Sequence, residues 1–430
     1  MAEHRRLKVL AVAAAAHPDR GSEPGLGWGW VETLAKHHDL WVISGEREGN
    51  REAIERRLRE VPGLSDRLKV FFVPRPDGPW LERVYPSFYY CLYRQWHLKA
   101  FDVARDLVEK IPFDLAHQIN MTGYREPGYL WKLDLPFVWG PVGGTQNVPL
   151  RFASVLGPGP FLYHLAKVVI NNLQLRFHPR VRQAVRRADG FVSSTSDTRR
   201  AFFRVHGKES SVIPDSGPPA DAAPPRKIES GSVFKIAWSG LHVSRKALPL
   251  VLHALRLFPA GIEWRFDIIG EGPMTKRWQR LAARLGVASH CTWHGWLPRA
   301  QAHQVVAEAD VFAFLSLHEG MPTVVMEALA VGVPIVCLDI CGQGDVVDES
   351  CGVKIRAHSV HQVVEDTSEA LQALAADPER RSALSRGARQ RLRQLNWSVK
   401  LEQMDRVYST AILNFAPLNE GLLDWGTRNL

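Results

Sequence analysis

The stretch that decides the fold runs from Val311 to Asp339: Val-Phe-Ala-Phe-Leu-Ser-Leu-His-Glu-Gly-Met-Pro-Thr-Val-Val-Met-Glu-Ala-Leu-Ala-Val-Gly-Val-Pro-Ile-Val-Cys-Leu-Asp. Val311 to Leu317 has the length and composition of a strand buried in a parallel sheet. Glu319-Gly320-Met321 makes a turn, and Pro322 stands at what reads as the first helical position, where its missing N–H costs nothing. Thr323 to Val331 predicts a helix that is apolar on most sides. Gly332 closes it, Val333-Pro334 turns the chain, and Ile335 to Leu338 is the next buried strand. Strand, helix, strand in that order is the unit from which parallel sheets are built.

Within this unit Glu319 and Glu327 have seven residues between them. In an unbroken helix eight positions are a little over two turns and bring both side chains to one side. Here Glu319 falls on the turn at the C-terminal end of the strand, and Glu327 lies within the helix. The helix N-terminus between them offers free N–H groups and the positive end of a dipole, a setting for a phosphate. A carboxylate on either side can accept hydrogen bonds from hydroxyls, so the locus suits a sugar nucleotide, with its diphosphate between a ribose and a hexose. Alternatively, Glu319 caps the helix and Glu327 merely faces solvent.

The run Glu-Gly-Met-Pro-Thr-Val-Val-Met-Glu-Ala-Leu-Ala-Val-Gly-Val-Pro-Ile-Val resembles the E-x7-E signature of GT-B retaining glycosyltransferases, glycosyltransferase family 4. The match takes in both glutamates, the Gly and Pro after the first, and the Gly-x-Pro turn after the helix. It spans nearly the whole chain, weakly in the first half and strongly from Phe234 to Gly352. The resemblance implies an α/β fold of two facing Rossmann-like, doubly wound domains. Their cleft would hold the site, and a C-terminal helix would cross back to the first domain.

The 430 residues suit two domains of ordinary size, with 45% hydrophobic and 23% charged residues. A net charge of +9 points to an acidic partner: nucleotide phosphates, an anionic membrane surface or nucleic acid. Five cysteines without a C-x-x-C read as reduced thiols, with neither a disulfide framework nor a zinc site. His4, Arg5, Arg6 and Lys8 before Val9 to Ala16 faintly resemble a signal peptide, but Pro18, Asp19 and Arg20 follow at once and removal would delete the first strand. A cytoplasmic location is expected. No apolar run approaches the ~20 residues of a membrane span, so any membrane contact is peripheral, at the inner face of the plasma membrane.

In the first half, Leu7 to Ala15, Leu40 to Ser44, Val70 to Val73, Phe113 to Ile119, Phe137 to Trp139, Gly190 to Ser194 and Val212-Ile213 read as strands. The loop after the first leads into a helix with Trp28 and Trp30; the resemblance makes its Gly21, Ser22, Glu23 and Gly25 cleft residues, against a plain turn and N-cap. His117 lies near the C-terminal end of the fourth strand, where ligands sit in open α/β sheets. There it is a candidate for moving a proton. Many relatives carry two alternating histidines here, and Ile119 occupies the second position. Gly140 to Gln146 is a glycine-rich cleft loop rather than a phosphate cradle. The aromatics from Phe88 to Trp96 read as packing. Pro158 to Ala188 is a basic amphipathic stretch that offers a surface to anionic lipid headgroups near a lipid-linked acceptor; a solvated basic face is the alternative.

The second half opens with a strand, Phe234 to Trp238, then Ser239-Gly240 and the adjacent Arg245-Lys246 ahead of a helix. Two cations after a glycine turn make a diphosphate clamp plausible. The resemblance assigns the donor diphosphate to this place. Lys246 matches it well; Leu241 replaces the usual arginine, so Arg245 substitutes or only flanks. Gly270 ends the next strand, and relatives read the nucleotide base near the turn that here carries Trp296 and Leu297. By the resemblance, Glu319, Gly320, Met321, Pro322, Thr323 and Glu327 complete the donor site, with Glu319 on the sugar and Glu327 on ribose hydroxyls. No Asp-x-Asp occurs, so neither a metal nor another cofactor is expected.

The organisation expected is an acceptor-side domain over residues 1–217, a proline-rich linker over 218–232, a donor domain over 233–395 and a returning helix with its tail over 396–430. Partners would be a nucleotide-sugar donor and a glycan or lipid-linked acceptor of cell-envelope or exopolysaccharide synthesis, with no nucleic acid. Two other classes fit less well. A nucleotide-sugar epimerase of the same fold is opposed by the E-x7-E context. A non-catalytic basic nucleic-acid-binding protein fits the charge, but the basic residues are spread out and no recognition motif accompanies them.

Overall fold

A computed structural model of the chain describes residues 5–47, 49–75, 86–218 and 233–417. The expected linker beyond Pro218, most of the loop from Pro74 to Pro86, the side chains of Phe88 and Tyr89, His4 and the tail past Ala416-Pro417 lie outside the described residues.

The first sheet comprises β1 (Lys8–Ala13), β2 (Asp39–Glu46), β3 (Leu68–Pro74), β4 (Leu115–Asn120), β5 (Phe137–Val142), β6 (Gly190–Ser193) and β7 (Ser211–Val212). The second comprises β8 (Phe234–Ser239), β9 (Trp264–Ile269), β10 (Cys291–Gly295), β11 (Val311–Phe314), β12 (Ile335–Leu338) and β13 (Gly352–Ile355). Their orders are β3-β2-β1-β4-β5-β6-β7 and β10-β9-β8-β11-β12-β13, and neighbouring strands pair in parallel. In each sheet the order reverses once, between β1 and β4 and between β8 and β11. Outside the C-terminal ends of strands at such a point, doubly wound sheets leave a crevice for ligands. The chain thus consists of two doubly wound α/β domains, as the resemblance implied.

The strands are near-continuous apolar runs because helices cover both faces. Strands β4, β5, β11 and β12 are buried at every position. The run predicted from Val311 to Leu317 leaves the sheet after Phe314, although Leu315 and Leu317 stay fully buried. The reason is a competing bond: the Leu317 N–H donates to the Arg245 carbonyl at 2.8 Å. Pro322 is the N-cap, and the motif helix spans Thr323–Ala330. The basic stretch divides into Pro158–Phe177 and Pro179–Arg187 because His178, preceding a proline, is held extended at ψ 117°.

The last helix, Trp397–Asn414, starts on an Asn396 side-chain cap to Val399 N. Its Leu401, Met404, Tyr408 and Ala411 join Val9, Leu40, Leu115 and Val138 in one core of the first domain. His37 and His38 each meet an Asp405 oxygen at 2.8 Å. The chain therefore returns to the first domain after completing the second.

Candidate active site in the interdomain cleft

The C-terminal ends of β8 and β11 bring three charged side chains together. Arg245 and Lys246 lie in the short 3-10 turn Ser244–Lys246, after β8 and Gly240. Glu319 follows β11. Lys246 Nζ stands 2.7 Å from Glu319 Oε1 and Arg245 Nη1 2.9 Å from the same oxygen. Ser316 donates its hydroxyl to that oxygen at 2.6 Å, and Arg245 Nη1 also donates to the His318 carbonyl at 2.8 Å. Three donors thus converge on Oε1 and none of these three takes Oε2. Burial is the largest influence on Lys246 and lowers its pKa, against the Glu319 carboxylate, which raises it.

The motif helix points its N-terminus to the same place. Its N-cap, Pro322, supplies no side-chain hydrogen bond, and Gly320 and Thr323 are exposed on either side of it. A Cβ on Gly342 would stand 1.9 Å from the Gly320 carbonyl oxygen, so glycine is required for the Glu319-Gly320-Met321 turn to lie against the Cys341–Val346 helix. One turn into the motif helix, Glu327 is neither a cap nor freely solvated. It faces Arg299 Nε at 3.4 Å and His303 Nε2 at 3.3 Å on the preceding helix, beside a small crevice that Ser239 and Val324 also line.

The neighbouring turns close the floor. A Cβ on Gly270, whose φ is 113°, would stand 2.2 Å from the Gly240 carbonyl oxygen, so the two strand-end turns touch through backbone. The Gly270 N–H donates to the Gly295 carbonyl at 2.7 Å. Beyond it Trp296 is 73% exposed, its N–H held by Glu271 Oε1 at 3.3 Å, while Leu297 packs against the second domain's core.

Opposite stands the first domain. Gly21 and Ser22 are exposed at the start of the Ser22–Leu34 helix. Glu23 turns inward, where it accepts from Thr122 N at 2.9 Å, and burial is the main cause of its raised pKa. Gly25 is needed for packing: a Cβ there would be 2.2 Å from the Arg20 carbonyl oxygen. Contacts that the sequence did not point to join the domains across the cleft. His318 Nε2 lies 3.0 Å from the Gln146 carbonyl oxygen of the glycine-rich loop, so this nitrogen donates. Burial, then Lys167 and Arg245, bring the His318 pKa to about 4. Asp197 accepts from Cys341 N at 2.8 Å, and Asp345 accepts from Ser196 N at 2.7 Å. The Ser-Asp pair opening a helix after β6 was the available signal for Ser196 and Asp197; Asp345 and His318 carried none, being set by the other domain.

His117 requires a correction. It is fully buried inside β4 rather than at the cleft. The Gly140 carbonyl can only accept, so Nε2 donates to it at 2.7 Å, and Nδ1 accepts from the Tyr408 hydroxyl at 2.7 Å. Burial brings its pKa to about 4. With both nitrogens engaged, His117 joins the returning helix to the sheet.

Residues 228–391 match the family described as glycosyl transferases group 1. That segment takes in nearly all of the second domain. The matched segment contains every residue from Gly240 to Glu327 placed above. Two curated relatives illustrate the range. The D-inositol 3-phosphate glycosyltransferase of Nocardia farcinica is 27% identical over 56% of this chain and 57% of its own length. The 2-deoxystreptamine glucosyltransferase of Streptomyces kanamyceticus is 27% identical over 67% and 78%. The chain spans about half the length of the first curated relatives it matches. Among solved structures, the sucrose-phosphate synthase of Thermosynechococcus elongatus aligns with a TM-score of 0.61 at 16% identity over 95% of this chain and 100% of its own. HepE of Anabaena, solved with UDP, aligns with a TM-score of 0.61 at 14% identity over 94% and 100%. The two domains together share the GT-B fold of these neighbours.

Proposed function

We propose that the chain is a retaining glycosyltransferase of family 4 that moves a hexose from a nucleoside diphosphate sugar to a hydroxyl acceptor. The observation that carries this is the meeting of Arg245, Lys246 and Glu319 at a helix N-terminus lacking a side-chain cap, beside the switch point of the second sheet. Two cations facing one carboxylate leave a positive excess, and the helix end adds to it. A diphosphate fits that excess. HepE binding UDP in the same fold supports the nucleotide part.

In this scheme the bond between the anomeric carbon and the diphosphate oxygen breaks while the acceptor oxygen bonds to that carbon on the same face, and the acceptor's hydroxyl proton passes to the departing diphosphate oxygen. Lys246, Arg245 and the N–H groups around Met321 to Thr323 stabilise the charge that grows on the leaving oxygen. Glu319 Oε2 holds the sugar hydroxyls. Glu327 leaves its partners Arg299 and His303 to bind ribose, and Trp296 stacks on the base. Both carboxylates are binding groups, since same-face transfer needs no covalent intermediate. Because protein cations meet the leaving group, transfer proceeds without an obligatory metal, and a chelator leaves the rate unchanged. The acceptor is an intermediate of cell-envelope or exopolysaccharide synthesis, a reading supported by the 24% identity over 46% of this chain to a putative colanic acid biosynthesis glycosyltransferase of Escherichia coli.

Thermal unfolding with a panel of sugar nucleotides tests the donor assignment. A ligand present at 100 times its Kd stabilises the native state by about 2.7 kcal/mol, a shift of several degrees. Lys246→Ala with Glu327→Ala should abolish both the shift and transfer; transfer surviving both changes refutes the assignment.

A further inference from the structure

The Pro158–Phe177 helix turns most of its apolar surface to water. Its protein-facing side carries two buried polar residues, His164 and Asn171, beside one buried apolar one, Leu175. Asn171 Nδ2 donates to Asn147 Oδ1 at 2.8 Å, its Oδ1 accepts from Arg125, and its carbonyl accepts the Tyr124 hydroxyl at 2.8 Å. Gln174 Oε1 accepts from Arg125 Nε at 2.7 Å. Its water-facing side is apolar: Leu162, Tyr163, Val169, Ile170, Leu173 and Phe177 are each more than half exposed. At 3.6 residues per turn these six fall within an arc about 120° wide. A surface helix ordinarily shows the reverse pattern. The chain does not scatter such residues either, since six of the 13 large hydrophobic side chains exposed among the described residues lie on this one helix. A contiguous exposed apolar surface marks a site of interaction.

Charge selects the partner. From Leu135 to Ala188 the chain has seven Lys and Arg and no Asp or Glu. Arg176 is exposed beside the apolar arc, and Arg182 and Arg186 are exposed on the next helix. The Ser196–His206 helix, tied on by His206 Nε2 at 2.8 Å from the Leu175 carbonyl, adds exposed Phe203 and Arg204. An apolar arc set among cations fits the boundary between headgroups and acyl chains of an anionic bilayer, where such helices lie in the plane. No described helix is long and apolar enough to cross a membrane, so contact would be in-plane.

We propose that the outer face of the Pro158–Phe177 helix docks the protein on an anionic lipid bilayer, with the inner face turned to the cleft. The helix adjoins the donor side, for Phe161 packs against the second domain's core and Gly157 at its N-terminus lies against Arg277, where a Cβ would stand 2.9 Å from Nη1. An acceptor anchored in the same bilayer would then enter the cleft beside Arg245. This last step rests on the glycosyltransferase reading; the docking does not.

The test uses the full chain and sedimentation with vesicles of phosphatidylglycerol and phosphatidylcholine, or of phosphatidylcholine alone. The wild type should partition at least tenfold more strongly onto the anionic vesicles. Leu162→Ser with Ile170→Ser and Phe177→Ser should lose at least tenfold, with the thermal shift by UDP unchanged. Arg176→Glu with Arg204→Glu, a milder surface change, should also lose binding and guards against a misfolded triple variant. In the otherwise unaltered chain, Leu173→Trp should shift its emission to the blue only with anionic vesicles. Wild type that stays in the supernatant overturns the proposal. So does serine-variant binding equal to wild type, or a concentration-dependent dimer that the serine changes abolish without any vesicle binding. A protein that binds vesicles but no sugar nucleotide would keep the docking and sink the transferase reading instead.

Discussion

Asp197 of the first domain accepts a hydrogen bond from the Cys341 backbone at 2.8 Å, and Asp345 of the second domain accepts one from the Ser196 backbone at 2.7 Å. Each domain thus satisfies a helix-end N–H of the other with a carboxylate. Such charge-assisted bonds are stronger than neutral ones and form only while the domains are closed. Asp197→Ala with Asp345→Ala should cost the closed arrangement about 2–4 kcal/mol. Small-angle scattering should then show a larger radius of gyration, and the KM for the donor should rise at least tenfold. Unchanged scattering and KM would show that closure does not depend on this pair.

Lys246 and Arg245 share Glu319 Oε1, so the loss of one cation is cushioned structurally but not chemically. In Lys246→Met the carboxylate keeps Arg245 and Ser316, and stability should fall by only about 1–2 kcal/mol. The loss of charge at the leaving group should lower kcat by about 100-fold or more. A kcat within threefold of wild type would remove Lys246 from the leaving-group role. The measurement is a paired one, steady-state kinetics beside thermal unfolding of the same preparation.

Buried histidines should make the fold acid-sensitive. His117 and His318 have pKa values lowered to about 4, chiefly by burial, from an ordinary 6.5. Between these values the unfolded chain binds a proton that the folded one does not. Their contribution is therefore complete above pH 6.5 and is lost as pH falls toward 4, on the order of 3 kcal/mol for fully buried His117. Urea unfolding from pH 7 to 4.5 should show the decline. His117→Asn should reduce its slope by about one proton, and a slope equal to wild type would contradict neutral burial.

The sheets were legible because a strand buried on both faces is written as a run such as Val311 to Phe314, which no other element explains as well. Glycine turns such as Gly240 and Gly270 were legible too, as punctuation between runs. What could not be read was set by distant chain. His117 looks like a strand-end acid or base until Tyr408, 291 residues later, takes its Nδ1. Val311 to Leu317 looks like one strand until the Arg245 carbonyl claims Leu317. Glu327 gives no local hint of Arg299 and His303. The basic content of Pro158 to Ala188 was visible, but which face of its first helix turns to water depends on where Asn171 finds Arg125 and Asn147.

Trp296 separates binding from folding more cleanly than any other cleft residue. Its side chain is 73% exposed, and only its backbone N–H is engaged, by Glu271. A large indole left in water at a strand-end turn, next to the backbone contacts among Gly240, Gly270 and Gly295, contributes little to the core. Stacking of a base on such a ring contributes about 1–3 kcal/mol. Trp296→Ala should therefore raise the Kd for UDP about tenfold, read by calorimetry, while the unfolding midpoint without ligand stays within a degree. Trp296→Phe, which keeps an aromatic face, should recover most of the affinity. If alanine and phenylalanine bind UDP as tightly as wild type, the base lies elsewhere, and Leu297 and the Gly270 backbone become the surfaces to probe.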